Sequence, residues 1–529
     1  MFAQRVKSSI ALSVSSGLLL VVTFPKFNLF PLSAVALAPL LIVTVQEQSA
    51  RRRFLWGFLA GCAFFAGTLY WVYGVMRNYG GLGVMASSAV FALFFVTLAL
   101  YWGLFGYLAG YLWKARWGPL AIPFFWVSIE FARAHMLSGF PWLLLGYALT
   151  DYYGLARVSR WTGVYGLSYL LAAVNVAWVL IFTRRSKWAF IHLGGVLAVV
   201  LLLVLTGTQG KYSQDEKAYL VQTNIPEQVA FEPWDRATQA GLFARLKTLT
   251  VETVEREQAA VLGHSASTPA GSRPQVGAGE SALVIWPETP APFYFDERSF
   301  SRQYAEEIAR QLHSYFLMGI VGFVPGSGGT KPLNSEVLLD PAGTVVSQYD
   351  KIHLVPFGEY VPLKRWLGFA GKLTAEVSDF VPGSRYVVSQ LRGGRMAGFI
   401  CYEAIFPDLV RRFVKEGAEV LVNTSNDGWY GSSAARYQHL LMARMRAIEN
   451  ARYLLRATNT GMTAIISPEG TILKLLPPDQ PGVLEGNWSF LKHQTFYSRH
   501  GDWFAIGACL VSILALTIAA TRQLSASSR

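Results

Sequence analysis

Apolar positions divide the chain into two kinds of stretch. The first kind runs almost unbroken for the roughly 20 residues that a helix needs to cross about 30 Å of hydrocarbon. Such runs fall at 8–24, 28–46, 54–76, 82–112, 117–132, 162–183, 188–207 and 502–521, and they predict eight membrane-spanning helices. The fourth is long, and Gly103, Gly106 and Gly110 mark where it can tilt or break. The first resembles a cleavable leader. Its apolar stretch leads straight into further spans, so it is read as retained.

The second kind lies between residues 208 and 501, where short apolar runs alternate with amphipathic ones. Residues 218–222, 282–286, 316–324, 396–402 and 420–423 are apolar, partly β-branched and bounded by breakers, which reads as buried strand. Residues 337–349 and 464–475 repeat one design, an apolar run, a turn and a second run. The turns, Asp340-Pro-Ala-Gly343 and Ser467-Pro-Glu-Gly470, have hairpin chemistry. Helical periodicity falls at about 235–260, 298–314, 405–416 and 434–451. This mixture predicts a layered α/β domain. Residues 264–281, rich in Ser, Gly, Pro and Ala, read as a flexible insertion. The predicted organisation is a helical bundle over 1–207, a globular domain over 208–501, and a last span with a tail over 502–529.

Composition agrees with that division. Of 529 residues, 52% are hydrophobic and 15% charged, against about 25% charged in ordinary soluble domains. The net charge of +13 raises the question of nucleic acid. The basic residues do not gather on one face or arm with interleaved aromatics, so no nucleic-acid partner is expected. Many flank the apolar runs, where they set orientation. With the N-terminus inside, the inner segments carry ten: Arg5, Lys7, Arg51, Arg52, Arg53, Lys114, Arg116, Arg184, Arg185 and Lys187. The outer loops carry five: Lys26, Arg77, Arg133, Arg157 and Arg160. Both termini are therefore expected in the cytoplasm and 208–501 outside, on the periplasmic face of a bacterial plasma membrane.

Cys62 and Cys509 lie in apolar spans, which leaves Cys401 without a disulfide partner in the globular part. Neither CxxC nor HExxH occurs and the eight histidines are scattered, so no structural metal is expected. Three segments end an apolar strand with a charged or reactive group. They are Ile285-Trp-Pro-Glu288, Tyr349-Asp-Lys351 with the following Pro356-Phe-Gly-Glu359, and Gly398-Phe-Ile-Cys-Tyr-Glu403. Taken singly, each residue reads as readily as a turn charge, an N-cap or a packed thiol. Strand ends on one edge of a sheet converge, however, so a base, a cation and a thiol can meet. A thiol near neutral pH needs a base within reach, for which Glu288 serves. Lys351 suits the negative oxygen of a tetrahedral intermediate, helped by the backbone N–H after the nucleophile. Glu–Lys–Cys is thus a coherent acyl-transfer set.

These motifs, with Asn423-Thr-Ser-Asn-Asp-Gly-Trp429, resemble the nitrilase superfamily. The eight-span setting, with Gly139-Phe-Pro-Trp142 and Gly146-Tyr147, narrows the resemblance to the apolipoprotein N-acyltransferase family of bacterial lipoprotein maturation. The resemblance covers almost the whole chain. It implies an αββα sandwich carried on the membrane bundle, with Glu288 as general base, Lys351 as oxyanion stabiliser and Cys401 as nucleophile. It also implies Trp234, Glu359, Tyr402 and Glu403 as supporting residues, and no cofactor. The implied reaction takes an acyl chain from a phospholipid, phosphatidylethanolamine at its sn-1 position, through a thioester. The acceptor is the α-amine of a diacylglyceryl cysteine on an apolipoprotein, and the expected state is a monomer. Residues 361–380, with Leu363, Trp366, Leu367, Phe369 and Leu373 among Lys364, Arg365 and Lys372, read either as an amphipathic surface helix or as a lid dipping into the outer leaflet. Two rivals follow from the pattern. One is a membrane-tethered amidase acting on a small carbon–nitrogen substrate. The other is a transporter, which would place ionisable groups in the spans and repeat itself internally. The spans are nearly free of charge apart from Glu130.

Overall fold

A computed structural model describes residues 2–184, 212–226, 236–265, 282–288, 293–296, 299–326, 329–361 and 380–527, with short pieces between 191 and 202. Trp234, more than half of the expected seventh span, most of the insertion at 264–281 and residues 362–379 of the segment read as a surface helix or a lid lie outside them.

Among the described residues, four helices are long and apolar enough to cross a membrane, or five if one bent pair counts as a single span. The membrane part runs through α1 (Phe2–Thr23), α2 (Ala38–Gln46), α3 (Ala50–Thr68), α4 (Trp71–Asn78), α5 (Val84–Leu112) and α6 (Gly118–His135). After two short turns, α7 (Tyr153–Ala156) and α8 (Ser159–Thr162), comes α9 (Val164–Arg184). The run expected at 28–46 is not one helix. A 3-10 turn over Phe30–Ala34 precedes the nine-residue α2. A broken backbone in an apolar setting leaves donors that a neighbour must satisfy. Asn175 of α9 does this, accepting the N–H groups of Leu37 and Ala38 at 2.9 and 3.0 Å and donating to the Ser33 carbonyl at 2.9 Å.

The run expected at 54–76 bends by 54° between α3 and α4. The bend carries α4 and its flanking aromatics against the globular domain. Tyr70 Oη accepts the Ala434 N–H at 3.0 Å, Tyr79 Oη donates to the Gly428 carbonyl at 3.2 Å, and Trp71 meets Tyr430 edge-on with ring centres 5.1 Å apart.

The long α5 is unbroken. Its glycines serve close approach instead, a recurrent device where helices pack in lipid. A β-carbon at Gly106 would sit 2.6 Å from the Arg53 carbonyl oxygen, and one at Gly57 of α3 would sit 2.1 Å from that of Trp102.

The globular part is two six-stranded sheets packed face to face. The first has the order β12-β1-β2-β3-β4-β5. Its strands are β1 (Glu216–Gln222), β2 (Leu283–Ile285), β3 (Tyr315–Gly326), β4 (Gly329–Leu339), β5 (Val345–Asp350) and β12 (Gly482–Trp488). The second has the order β11-β10-β9-β8-β7-β6. It is built from β6 (Ser389–Gln390), β7 (Arg395–Ile400), β8 (Val420–Ser425), β9 (Leu454–Thr458), β10 (Thr463–Ile466) and β11 (Ile472–Leu476). Each sheet has a parallel centre, β1-β2-β3 and β7-β8-β9. Both expected hairpins form, β4-β5 and β10-β11, with Gly343 and Gly470 at φ 80° and 79°, where a side chain would be strained.

Alternation along the strands sorts the side chains. Ala218, Leu220, Leu283, Ile285 and Leu338 meet Met396, Val420, Val422 and Leu455 between the sheets. Tyr219, Val221, Val284 and Phe316 turn the other way, onto α10 (Arg236–Ser265) and α11 (Phe300–Leu312). Ala397, Phe399, Leu421 and Ile466 face α12 (Pro407–Lys415) and α13 (Ala435–Asn450), giving the expected αββα order. This last layer is continuous with the apolar core of the bundle, which includes Trp102, Trp126, Trp142 and Leu167. The chain closes with α14 (Phe496–His500) and α15 (Trp503–Ser527).

Replacing Gly57 with valine should drive the α3–α5 contact apart at a cost of about 1–3 kcal/mol. The detergent-solubilised variant should unfold at a lower temperature than the parent. Gly74→Ala, at a glycine with nothing within 4 Å, should not lower it.

Candidate active site

The carboxyl ends of the parallel strands β2 and β7 open toward the same crevice, the usual place for chemistry in such sheets. Glu288 lies three residues beyond β2. The strand end is pinned by the Trp286 indole, whose Nε1 donates to Thr250 Oγ1 at 3.0 Å. Glu288 Oε2 accepts the Asn426 N–H at 2.9 Å, and its Oε1 accepts from Asn334 Nδ2 at 2.9 Å.

Lys351 follows β5 directly and is 1% exposed. Its N–H donates to the Asn334 carbonyl at 2.8 Å, which sets the direction in which the side chain leaves the sheet. Nζ reaches Glu359 Oε1 at 2.8 Å and Glu288 Oε1 at 3.2 Å. Asn334 Nδ2 also donates to Glu359 Oε1 at 2.5 Å, so one amide bridges both carboxylates. Glu359 Oε2 in turn accepts the Val355 N–H at 2.7 Å. Burial alone would lower the Lys351 pKa; Glu288 and Glu359 more than offset it, and the ammonium is held well above the ordinary lysine range.

Cys401 begins a 3-10 turn, Cys401–Ile405, immediately after β7. Its φ of 48° is left-handed, a conformation that costs a non-glycine residue about 1–2 kcal/mol. Two contacts hold it there. Glu403 Oε2 accepts the Ile400 N–H at 2.8 Å, and His439 Nε2 lies 3.0 Å from the Cys401 carbonyl oxygen. Cys401 as a whole is 5% exposed. Burial pushes its pKa up and the Glu288 carboxylate adds to that, while Lys351 opposes them, so the resting group is a thiol with a base and a cation in electrostatic reach.

Glu403 Oε1 accepts from Tyr349 Oη and the Ile352 and His353 N–H groups at 2.7, 2.7 and 3.1 Å. One carboxylate therefore ties the cysteine turn to the segment that carries Lys351. Tyr402 packs its ring against Phe406 and His353, with centres 5.2 and 5.9 Å away. The structure thus brings Glu288, Lys351, Glu359, Cys401, Tyr402 and Glu403 together. Chemically the set offers a proton acceptor, a nucleophile and a fixed positive charge for acyl transfer.

Comparison with known proteins shows the family to which the chain belongs. Residues 16–177 match the family model for the apolipoprotein N-acyltransferase N-terminal domain, and 220–489 match that for carbon-nitrogen hydrolase. An apolipoprotein N-acyltransferase of Geobacter metallireducens is 36% identical over 95% of this chain and 94% of its own. The chain belongs to the apolipoprotein N-acyltransferase family. Another member, from Methylococcus capsulatus, is 32% identical over 94% of each chain. An amidase from Nesterenkonia sp., known as a crystal structure, aligns with 57% of this chain and 100% of its own at 18% identity, with a TM-score of 0.37.

In this family member the site holds more polar groups than the strand-end reading found. Asn334 sits inside β4, and Asp427, His439 and Arg456 form a buried cluster under the cysteine turn. Arg456 Nη2 lies 2.9 and 2.7 Å from the two Asp427 oxygens, and His439 Nδ1 lies 2.9 Å from Oδ1. The Asn423–Trp429 motif points to Asp427; nothing in the sequence around His439 marks it.

Glu336 is a further buried carboxylate, on β4 two residues from Asn334. Thr424 Oγ1 donates to it at 3.0 Å, and a β-carbon at Gly398 would overlap its Oε1. Burial pushes its pKa up to about 8, countered by the Thr424 hydroxyl and reinforced by Glu403 and Glu288. A folded-state pKa above the unfolded value of about 4.3 means that the native state holds the proton more tightly. The associated stability is full below the unfolded pKa and is lost as pH rises through the folded one. Glu336→Gln should therefore unfold at a higher temperature than the parent at neutral pH. The gap should widen from about pH 4 to about pH 8, as read from melting curves at a series of pH values.

Proposed function

We propose that the chain transfers a fatty acyl group from a phospholipid to the N-terminal amine of diacylglyceryl apolipoproteins through a thioester on Cys401. The observation that carries this is the buried Glu288–Lys351 pair beside the Cys401 thiol. In the first half, Glu288 takes the thiol proton and sulfur attacks the sn-1 ester carbonyl of phosphatidylethanolamine. Lys351 Nζ and the Tyr402 N–H hold the resulting oxyanion. Collapse breaks the ester C–O bond, the Glu288 proton goes to the departing alkoxide, and a lysophospholipid leaves. In the second half, the lipoprotein amine attacks the thioester and gives its proton to Glu288. The C–S bond then breaks, and the proton returns to sulfur.

Glu359, Tyr402 and Glu403 support the set, and Trp234 is assigned to substrate contact on the family resemblance. A lipid substrate fits the segments that reach the site from the bundle. Ser138, just past α6, lies close to both His353 and Tyr360. The neighbouring Leu137 is 93% exposed, and Met85, at the start of α5, is 88% exposed. One chain supplies every residue named, so a monomer suffices.

The proposed topology has eight spans in a bacterial inner membrane, with 208–501 periplasmic between a bundle over 1–207 and the terminal span over 502–529. The apolar runs along the sequence and the distribution of lysine and arginine support it, four or five of the spans being helices of sufficient apolar length among the described residues. A reporter active only in the periplasm should be silent when fused after Arg522 and active when fused near Gly210. The reverse pattern would exclude the arrangement.

The intermediate is the decisive test. Purified chain given phosphatidylethanolamine and no lipopeptide should gain one acyl group, releasable by neutral hydroxylamine as thioesters are. Cys401→Ser should form no thioester and recover no turnover, since an alcohol is much harder to deprotonate than a thiol. Glu288→Gln should also block acylation, and Lys351→Ala should slow both halves by about 100-fold or more. Full transfer by Cys401→Ser, or an acyl group mapped elsewhere, would overturn the proposal. Hydrolysis of a small amide with no acyl group reaching the peptide would favour a tethered amidase.

A further inference from the structure

His439 belongs to none of the roles above, yet it is buried against the nucleophile. It stands on α13, and its Nε2 lies 3.0 Å from the carbonyl oxygen of Cys401. A carbonyl only accepts, so Nε2 carries the proton whatever the charge of the ring. On the other side, Nδ1 lies 2.9 Å from Asp427 Oδ1 and 3.1 Å from Arg456 Nη2. The ring faces are also confined. Trp142, from the loop that follows α6, stacks on the imidazole at 6.0 Å and 20°, and Tyr430 meets it edge-on at 5.8 Å. The imidazole therefore cannot turn without breaking a buried network.

The carbonyl it grips belongs to the Cys401–Tyr402 peptide. That unit is planar, and its N–H points opposite to its C=O. Fixing the oxygen therefore fixes the direction of the Tyr402 N–H. A donor on the oxygen also polarises the amide and strengthens the N–H as a donor in its turn.

We propose that His439 is a positioning residue for the oxyanion site, acting through the Cys401–Tyr402 peptide to aim and strengthen the Tyr402 N–H. The inference rests on the thioester reading of Cys401. It predicts that His439 matters to reactions of Cys401 that pass through an oxyanion and not to those that do not.

Two rates on the full-length chain in mixed detergent–phospholipid micelles separate these cases. Acylation of Cys401 by phosphatidylethanolamine passes through a tetrahedral oxyanion; alkylation by iodoacetamide is a displacement at carbon and forms none. His439→Ala should slow acylation by about 10- to 100-fold with an unchanged KM for phospholipid, and should leave alkylation at the parental rate. His439→Gln, whose amide N–H can reach the same carbonyl, should recover most of the loss, and His439→Asn, with a shorter side chain, should not. An equal fall in both rates would make His439 a packing residue only and overturn the proposal, as would parental acylation in His439→Ala. Should the alanine variant not fold, the glutamine and asparagine variants decide, since equal acylation by the two excludes the role. Failure of the parent chain itself to acylate on Cys401 would instead remove the thioester reading.

Discussion

The site is organised by the burial of one ammonium group. Lys351 has almost no contact with water, and a lone charge in that position costs several kcal/mol unless anions accompany it. Two carboxylates do so, and each is itself tied to the backbone, Glu288 by the Asn426 N–H and Glu359 by the Val355 N–H. Asn334 spans the pair and leaves neither free to swing away. The same need for compensation draws β2, β5, β8 and the 355–359 loop to one point. Glu403 then fixes the cysteine turn against the lysine segment. Once the charge is buried, the positions of base, cation and thiol follow with little freedom.

A second constraint joins this domain to the helices. The outer face of the second sheet, through α12 and α13, shares one apolar core with the bundle, so polar side chains there find partners across the junction. Trp142 Nε1 donates to Gln438, Arg446 to Tyr147 Oη, and the Val164 N–H to Glu449. Arg133 holds the Phe140 and Trp142 carbonyls, which shapes the loop whose tryptophan covers His439. Arg157 and Arg160 both bind Glu469, at the tip of the β10-β11 hairpin. Arg133, Arg157 and Arg160 are therefore occupied in structure.

What could be read from the sequence, and what could not, divides along physical lines. Strands buried on both faces show as continuous apolar runs, and hairpin turns need Pro and Gly at set places. The sandwich and the strand-end residues Glu288, Lys351 and Cys401 were legible for that reason. Helix breaks were not, because the partner that makes a break tolerable lies far away in sequence, as Asn175 does for the turn before α2. The glycines of α5 looked like weak points, yet they are contact points, and only the position of α3 tells the two apart. His439 and Glu336 were invisible for a related reason. One sits on a helix and the other inside a strand, with no punctuation beside either, and their importance comes wholly from what packs against them.

The charge balance of the site shows why so much burial is compatible with chemistry. At rest, Lys351 pairs with Glu288 and Glu359 while the thiol is neutral, leaving one net negative charge. In the proposed reaction, moving the thiol proton to Glu288 makes that carboxyl neutral and the sulfur negative, with the total unchanged. Attack on the ester then transfers the charge from sulfur to the oxyanion. No step brings a new charge into a medium where charges are costly. The existing one moves over a short distance around a cation that stays in place. Lys351 loses the attraction of Glu288 as it gains that of the oxyanion, and Glu359 keeps it anchored throughout. A carboxylate that bound lysine but did not act as base is therefore as necessary as the one that does. The pairing that stabilises the fold is, on this reading, the same pairing that is exchanged during the reaction.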